Sequence, residues 1–278
     1  MKGKIYSLTG GKYHIKDINN KMHFLPAAGI FRHKNIEPVV GDIVEFESNA
    51  YIVKIHERKN VFVRPKVANI DSIIVVMSVV EPKFQPYLVD KYLAFIEAND
   101  IEPIIFITKI DLALNEWKFK YLSMGYDVYD IDYQDDQLKQ KIKHLFKDKV
   151  ISLMGQSGVG KTTFINFVAG TNFQTQKISK SANRGKHTTR IVQIIETLDG
   201  QLIDTPGFSS FDVNLTKIQL AQSFKQFKSL SKMCKFKSCL HLNEPDQYCN
   251  VKLNVYNGNI PEFRYKNYLK MMKEAKNE

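Results

Sequence analysis

Gly155-Gln156-Ser157-Gly158-Val159-Gly160-Lys161-Thr162-Thr163 follows the apolar run Val150–Met154 and opens a segment with helical spacing. Strand, glycine loop and helix in that order make a phosphate cradle. The glycines let backbone N–H groups turn toward phosphate oxygens, Lys161 can reach the β and γ phosphates, and the Thr162 hydroxyl is placed to ligate Mg²⁺. Four fixed positions of this kind recur by chance on the order of once in a hundred chains this long. A bound nucleoside triphosphate is therefore expected, rather than a glycine turn that merely caps a helix. A second constellation lies near the C-terminus, where Cys234, Cys239, His241 and Cys249 supply three sulfurs and one nitrogen. That is the donor set of a closed tetrahedral Zn²⁺ site, which has no open position for chemistry and is structural. Lys and Ser around these residues argue against plain buried thiols, and a tail this polar needs a metal to fold.

Asp204-Thr205-Pro206-Gly207 ends the run Gln201-Leu202-Ile203, as a DxxG element ends its strand. Asp204 can hold Mg²⁺ through water and the Gly207 N–H can meet a γ phosphate, although a strand ending in Asp before a Pro-Gly turn is common by itself. Thr108-Lys109-Ile110-Asp111 ends another apolar run, 104–107, and resembles the NKxD base-reading element of GTPases. An Asp there accepts hydrogen bonds from the ring N–H and the exocyclic amine of guanine, whereas adenine would set an acceptor against the carboxylate. Discrimination on the order of 10⁴-fold follows when a buried polar group would be left unpaired. Lys109 would lie along the base plane. Thr108 stands where the element usually has Asn, so one anchoring amide is missing. Gly185-Lys186-His187-Thr188-Thr189-Arg190 lies between the loop and DxxG, where switch I belongs; Thr189, or Thr188 in its place, would complete the Mg²⁺ shell.

Short strands with turn punctuation fill residues 1–66: 4–8, 12–15, 22–25, 43–47 and 51–55. They predict a small closed barrel of the oligonucleotide-binding (OB) type. From Asn69 onward, strands at 73–80, 104–107 and 127–131 alternate with helical spacing at 86–99, 114–124 and 137–146, the pattern of an α/β domain with a mostly parallel sheet. Arg64-Pro65 marks the expected boundary, and 211–278 holds a Lys-rich helical stretch, the cysteines and a charged helix from Pro261 to Lys276. The expected domains are thus 1–66, 67–210 and 211–278.

The 278 residues carry a net charge of +11, and it is unevenly spread. Residues 1–66 hold 12 basic against 6 acidic side chains, 211–278 again 12 against 6, and 67–210 hold 16 against 17. Two basic flanks around a neutral centre point to a polyanion larger than a nucleotide, with nucleic acid favoured over a membrane because no basic amphipathic helix with an aromatic face accompanies the charge. The longest apolar stretch, 73–80, is far short of a membrane span, and the N-terminus does not read as a signal peptide. Three cysteines within sixteen residues exclude a secreted disulfide framework, so a cytoplasmic location is expected.

The order of the elements is unusual: base reader, phosphate loop, switch I, then DxxG, where ordinary GTPases place the base reader last. Joining old termini and cutting elsewhere preserves such a site while rotating chain order. Barrel, permuted G domain and cysteine-histidine tail together resemble the circularly permuted GTPases of the RsgA family, also called YjeQ or YloQ, over nearly the whole chain. The resemblance implies an α/β P-loop GTPase domain, circularly permuted, with an N-terminal OB-type barrel and a C-terminal zinc-binding helical domain. It implies a monomeric GTP hydrolase that cycles between GTP and GDP, binds the small ribosomal subunit and its rRNA, assists late maturation and is stimulated by the subunit. It supports Cys234, Cys239, His241 and Cys249 as Zn²⁺ ligands, although the stretch from His241 to Cys249 is longer than the family's usual spacing. Phe208 follows DxxG where many GTPases carry a water-orienting Gln nearby, so slow intrinsic turnover is expected. The family points to His187 for that role, a position that equally suits a solvated side chain or an RNA contact; Lys161 and Thr189 would act with it.

Overall fold

The computed structural model describes residues 1–33, 36–170, 192–204 and 215–275. Strands β1 (Lys2–Thr9), β2 (Lys12–Asp17) and β3 (Met22–Leu25) form an antiparallel meander; a short helix α1 (Ile30–His33) leads to β4 (Ile43–Phe46) and β5 (Ile52–Ile55). β4 pairs with both β1 and β5, and a parallel bridge between Ala27 and Ile52 sets the end of β3 against β5. The resulting ring order, β1-β2-β3-β5-β4, is the OB-type barrel expected from the sequence. Alternation along the strands sends Ile5, Ile15, Leu25, Val44, Phe46 and Ile52 to the interior. The β1–β2 turn uses Gly10 and Gly11 at φ 57° and 77°, a pair of positive values that matches the strand twist and that glycine adopts without steric cost. Gly41 serves closeness instead, since a Cβ there would meet the Ala68 carbonyl oxygen at 2.1 Å.

A hairpin of β6 (Val61–Val63) and β7 (Lys66–Ala68) follows, and Arg64-Pro65 is its turn. Next come β8 (Ser72–Ser78), α2 (Pro86–Ala98), β9 (Glu102–Thr108), α3 (Trp117–Leu122), β10 (Asp127–Ile131), α4 (Leu138–Phe146), β11 (Val150–Met154), α5 (Lys161–Ala169), β12 (Gln193–Thr197) and β13 (Gly200–Asp204). The C-terminal segment holds α6 (Lys217–Ala221), α7 (Lys225–Ser231), α8 (Asn250–Tyr256) and α9 (Glu262–Glu274). Every residue of β8 and β11 is buried, which is why these strands read as unbroken apolar runs rather than alternating ones. α3 begins later than its spacing predicts because the Asn115 side-chain oxygen accepts the N–H groups of Trp117 and Lys118 at 3.2 and 3.3 Å, which starts the helix there.

By mutual packing the chain forms two units, Met1–Ser72 with Tyr133–Phe211, and Ile73–Asp132 with Asp212–Glu278. In the first, β13 runs parallel to β11 and antiparallel to β12, and β12 meets the barrel at Ser7 and Gln193. Glu196 on β12 accepts from the Tyr6 hydroxyl at 2.5 Å and from Lys16 at 2.6 Å, so the barrel and the phosphate-loop strands are one body. Gly200 is obligatory at the start of β13, since a Cβ would lie 1.9 Å from the Phe146 carbonyl oxygen.

In the second unit, β10 runs parallel to β9, with Ile131 opposite Thr108. The C-terminal segment is pinned to α2 by Arg264, a side chain with no exposure. Its guanidinium donates to Asp90 Oδ1 at 2.9 Å and to the Tyr126 hydroxyl at 2.7 Å, and its carbon lies 4.6 Å from the centre of the Phe224 ring. Asp90 also accepts from Asn267 at 2.6 Å and from the Tyr121 hydroxyl at 3.2 Å. Burial pushes the Asp90 carboxyl above its ordinary range, and these donors, Arg264 foremost, pull it back toward the charged form. Removing Arg264 would leave a buried carboxylate without its cation, which costs about 3–5 kcal/mol. Arg264→Ala is accordingly expected to lower the unfolding free energy of this unit by about 3–5 kcal/mol, read as a fall in the urea midpoint at unchanged slope in denaturation followed by circular dichroism.

Candidate functional site

Residues 155–163 form a loop between a fully buried strand and the first turn of α5. Val159 is buried and anchors the loop, while Ser157 and Gly158 are exposed at its tip. Gly158 and Gly160 have φ of 83° and 98°, in the left-handed region where a side chain is strained. Gly160 is also the N-cap of α5 and offers no side chain to the first turn, so the amides of Lys161, Thr162 and Thr163 open onto the loop with the positive end of the helix behind them. The Lys161 ammonium folds back across the loop and donates to the carbonyls of Gly155 and Gln156 at 2.6 and 2.5 Å. This is an anion cradle built from backbone N–H groups with one mobile cation above it.

β13 brings Asp204 to the same cradle. Its parallel register with β11 pairs Val150 with Gln201 and Ser152 with Ile203, so both strands end on the same side. Asp204 and Gly155 thus lie at neighbouring carboxyl ends, where ligands of such sheets bind. The chemistry available is phosphate binding with a carboxylate and the Thr162 hydroxyl at hand for a divalent cation. Gly207, Phe208, His187, Thr188 and Thr189 lie outside the described residues.

Thr108, Lys109 and Asp111 belong to the other unit and lie at the carboxyl end of β9. Thr108 is buried, and its hydroxyl donates to the Met77 carbonyl at 3.3 Å, tying β9 to β8. Lys109 takes a left-handed backbone conformation, φ 58°, which turns the chain so that Asp111 is exposed; its ammonium donates to the Glu81 carbonyl. Sequence reasoning missed what Asp130 does at the end of β10. It accepts from Asn115 and from Lys118, both at 2.7 Å, and so braces the start of α3 beside the Lys109–Asp111 turn. Nothing in its local sequence signals this, because its partners are on another element.

The ligand atoms of Cys234, Cys239, His241 and Cys249 all lie within 4.8 Å of one another. Zn²⁺ held tetrahedrally at bond lengths near 2.0–2.3 Å sets its donors roughly 3.5–3.8 Å apart. His241 Nδ1 is 3.4 Å from Cys249 Sγ and 3.9 Å from Cys234 Sγ, which fits. Burial raises the thiols of Cys239 and Cys249 above their ordinary range. A cation reverses that penalty, since a coordinated thiol is deprotonated. Two backbone N–H groups already face the sulfurs, Asn250 toward Cys234 at 3.3 Å and Lys252 toward Cys249 at 3.5 Å. Glu244, which the sequence did not single out, accepts the N–H groups of Leu240 and Leu242 at 2.7 and 2.8 Å and shapes the ligand loop.

The family described as RsgA GTPase matches residues 55–214, and the RsgA N-terminal domain matches residues 2–51. The chain is 62% identical to the small ribosomal subunit biogenesis GTPase RsgA of Mycoplasmopsis agalactiae, across 100% of this chain and 99% of that one. It is 41% identical to the protein of the same name from Staphylococcus haemolyticus, across 99% and 97%. Among solved structures it is similar to YloQ, a circularly permuted GTPase, with a TM-score of 0.81 and 35% identity over 98% of this chain and 94% of that one. YjeQ from Thermotoga maritima gives a TM-score of 0.80 and 30% identity over 98% and 97%. A Cβ at Gly160 would strain the loop by about 1–2 kcal/mol. Gly160→Ala is expected to weaken binding of a fluorescent nucleoside triphosphate about tenfold or more while leaving the far-ultraviolet spectrum unchanged.

Proposed function

The chain belongs to the RsgA family of circularly permuted GTPases, and from that premise we propose that it hydrolyses GTP to GDP while bound to the small ribosomal subunit, whose late maturation it assists and which stimulates its turnover. The observation that carries this reading is the parallel pairing of β11 and β13, which sets Asp204 beside the glycine loop and Lys161. Residues 155–163 hold the phosphates and Lys161 offsets their charge. Lys109 and Asp111 read guanine, with Asp111 as the discriminating acceptor, and the buried Thr108 supports them by tying the end of their strand to β8. Thr162, Asp204 and Thr189 would hold Mg²⁺, which neutralises charge on the terminal phosphates when bound. Gly207 meets the γ phosphate, and His187 orients the attacking water once the subunit orders its segment. Phosphoryl transfer of this kind is a matter of positioning and charge stabilisation, which is why an added surface can raise the rate.

The domain roles follow the charge: residues 1–66 hold rRNA, 67–210 form the permuted GTPase domain, and 211–278 fold around one structural Zn²⁺ and add a second basic surface. The chain works in the cytoplasm as a monomer. None of its described helices is long and apolar enough to cross a membrane.

Phosphate release from GTP, measured with and without purified small subunits, tests the reading. The expected result is slow release alone, on the order of tenfold or more acceleration with subunits, and loss of both in Lys161→Ala. Unchanged turnover on adding subunits would overturn it. Asp111→Asn should move preference from guanine toward xanthine nucleotides, because the amide offers the donor that a xanthine carbonyl needs; competition binding of GTP against XTP reads this out. Subunit binding should weaken steeply as salt rises from about 50 to 200 mM, the signature of phosphate contacts.

A further inference from the structure

His241 has two ring nitrogens in two different settings. Nδ1 faces the sulfurs of Cys234 and Cys249. Nε2 faces the other way and lies 3.3 Å from the carbonyl oxygen of Ala221, the last residue of α6. A carbonyl can only accept, so Nε2 carries the proton and Nδ1 presents its lone pair to the cluster. The ring has no freedom to turn over: His241 is fully buried, and the Phe227 ring meets it edge to face at 5.9 Å. Its backbone is held as firmly, at a left-handed φ of 56°, with the Tyr265 hydroxyl on its own carbonyl at 2.7 Å and the Tyr268 hydroxyl on that of Leu240 at 2.5 Å.

The acceptor matters because of where it lies. The last carbonyls of a helix have no intrahelical partner, and α6 is a short helix of five residues that cannot hold itself together. Its N-terminus is closed by a capping box between Thr216 and Gln219. At its C-terminus the Leu220 carbonyl accepts from the Ser223 N–H and hydroxyl, and the last carbonyl, that of Ala221, faces His241 Nε2. Among the described residues, α6 is the first helix after Asp204 in the chain.

We propose that His241 acts in two directions at once, with Nδ1 as the metal ligand and Nε2–H as the hook on the last carbonyl of α6, so that metal occupancy sets the position of the helix that follows the DxxG element. The metal centre is then more than a fold staple for the ligand loop: it also fixes the end of α6, a helix outside that loop. This rests on the reading of the cysteine-histidine cluster as a metal site. A second ring N–H bound to a backbone carbonyl is the usual way a ligating histidine is oriented, and here the carbonyl belongs to a helix outside the ligand loop.

Two measurements on the full chain test it. First, the ¹⁵N-labelled protein is loaded with ¹¹³Cd²⁺, and metal–nitrogen coupling is observed by NMR. Coupling to Nδ1 with a protonated Nε2 is expected; coupling to Nε2 overturns the inference while leaving the metal site standing. A wild-type chain that retains no metal overturns both. Second, His241→Cys keeps a fourth sulfur ligand but has no ring donor for Ala221. With one metal per chain retained, the amides of Leu220, Gln222 and Ser223 should exchange with deuterium about tenfold faster than in the metal-loaded wild type, while those of α9 stay unchanged. Equal exchange in α6 would overturn the proposal.

Discussion

A guanidinium with no exposure is stable only when its charge is met, and Arg264 meets Asp90 across 174 residues of chain. Desolvating two such groups costs several kcal/mol each, and the pair is supported by Tyr126 as a second acceptor for the guanidinium and by Tyr121 and Asn267 as further donors to the carboxylate, while the buried Arg264 Nε meets no acceptor among the described residues. The orientation of the C-terminal segment depends on this contact. α9 can lie on α2 only in the register that brings the guanidinium to Asp90. Once it does, Glu97 at the other end of α2 accepts the Lys225 N–H at 2.6 Å and places α7. The Lys109–Asp111 turn at the end of β9 and the cysteine-histidine cluster therefore share one packed unit, although they are more than a hundred residues apart.

The first unit is held differently. Its barrel joins the phosphate-loop strands through a strand contact and through Glu196, which is bound by Tyr6 and Lys16, with Lys4 reaching Gln201 at 2.6 Å. Partly exposed pairs of this kind are each worth little, so specificity of placement comes from the backbone pairing and from Gly200, where no side chain fits. The outcome is that a barrel with an excess of basic residues is continuous with the strand ending at Asp204. The chain passes between the two units after Ser72, after Asp132 and after Phe211, and the last passage falls between the DxxG element and α6. Circular permutation has this physical meaning here: along the chain, the strand that ends at Asp204 precedes the segment that carries the cysteine-histidine cluster.

What the local sequence could carry was legible. The glycine loop before α5, the gathering of three cysteines and a histidine, and the strands at 72–78, 102–108 and 127–131 depend on residue chemistry and on periods of a few residues, both of which act without the rest of the fold. The barrel followed from alternation and turn glycines, because a closed ring is the stable way to use five short strands. Where the pattern was too short, the reading stopped: the β6–β7 hairpin has three residues in each strand, too few for a period to show.

The remaining decisions belonged to packing. In the sequence Arg264 is one more charge on a polar helix, Asp130 one more acid at a strand end, and Glu244 one more loop carboxylate. Their partners lie on other elements, and no local propensity can choose among distant donors. Composition and spacing alone pointed to a nucleotide, a metal and a polyanion as ligands to expect. That His241 turns Nδ1 to the sulfurs and Nε2 to the last carbonyl of α6, and that the cysteine-histidine cluster packs in one unit with the strand ending at Thr108, were settled only when buried charges and unsatisfied carbonyls had to find partners in three dimensions.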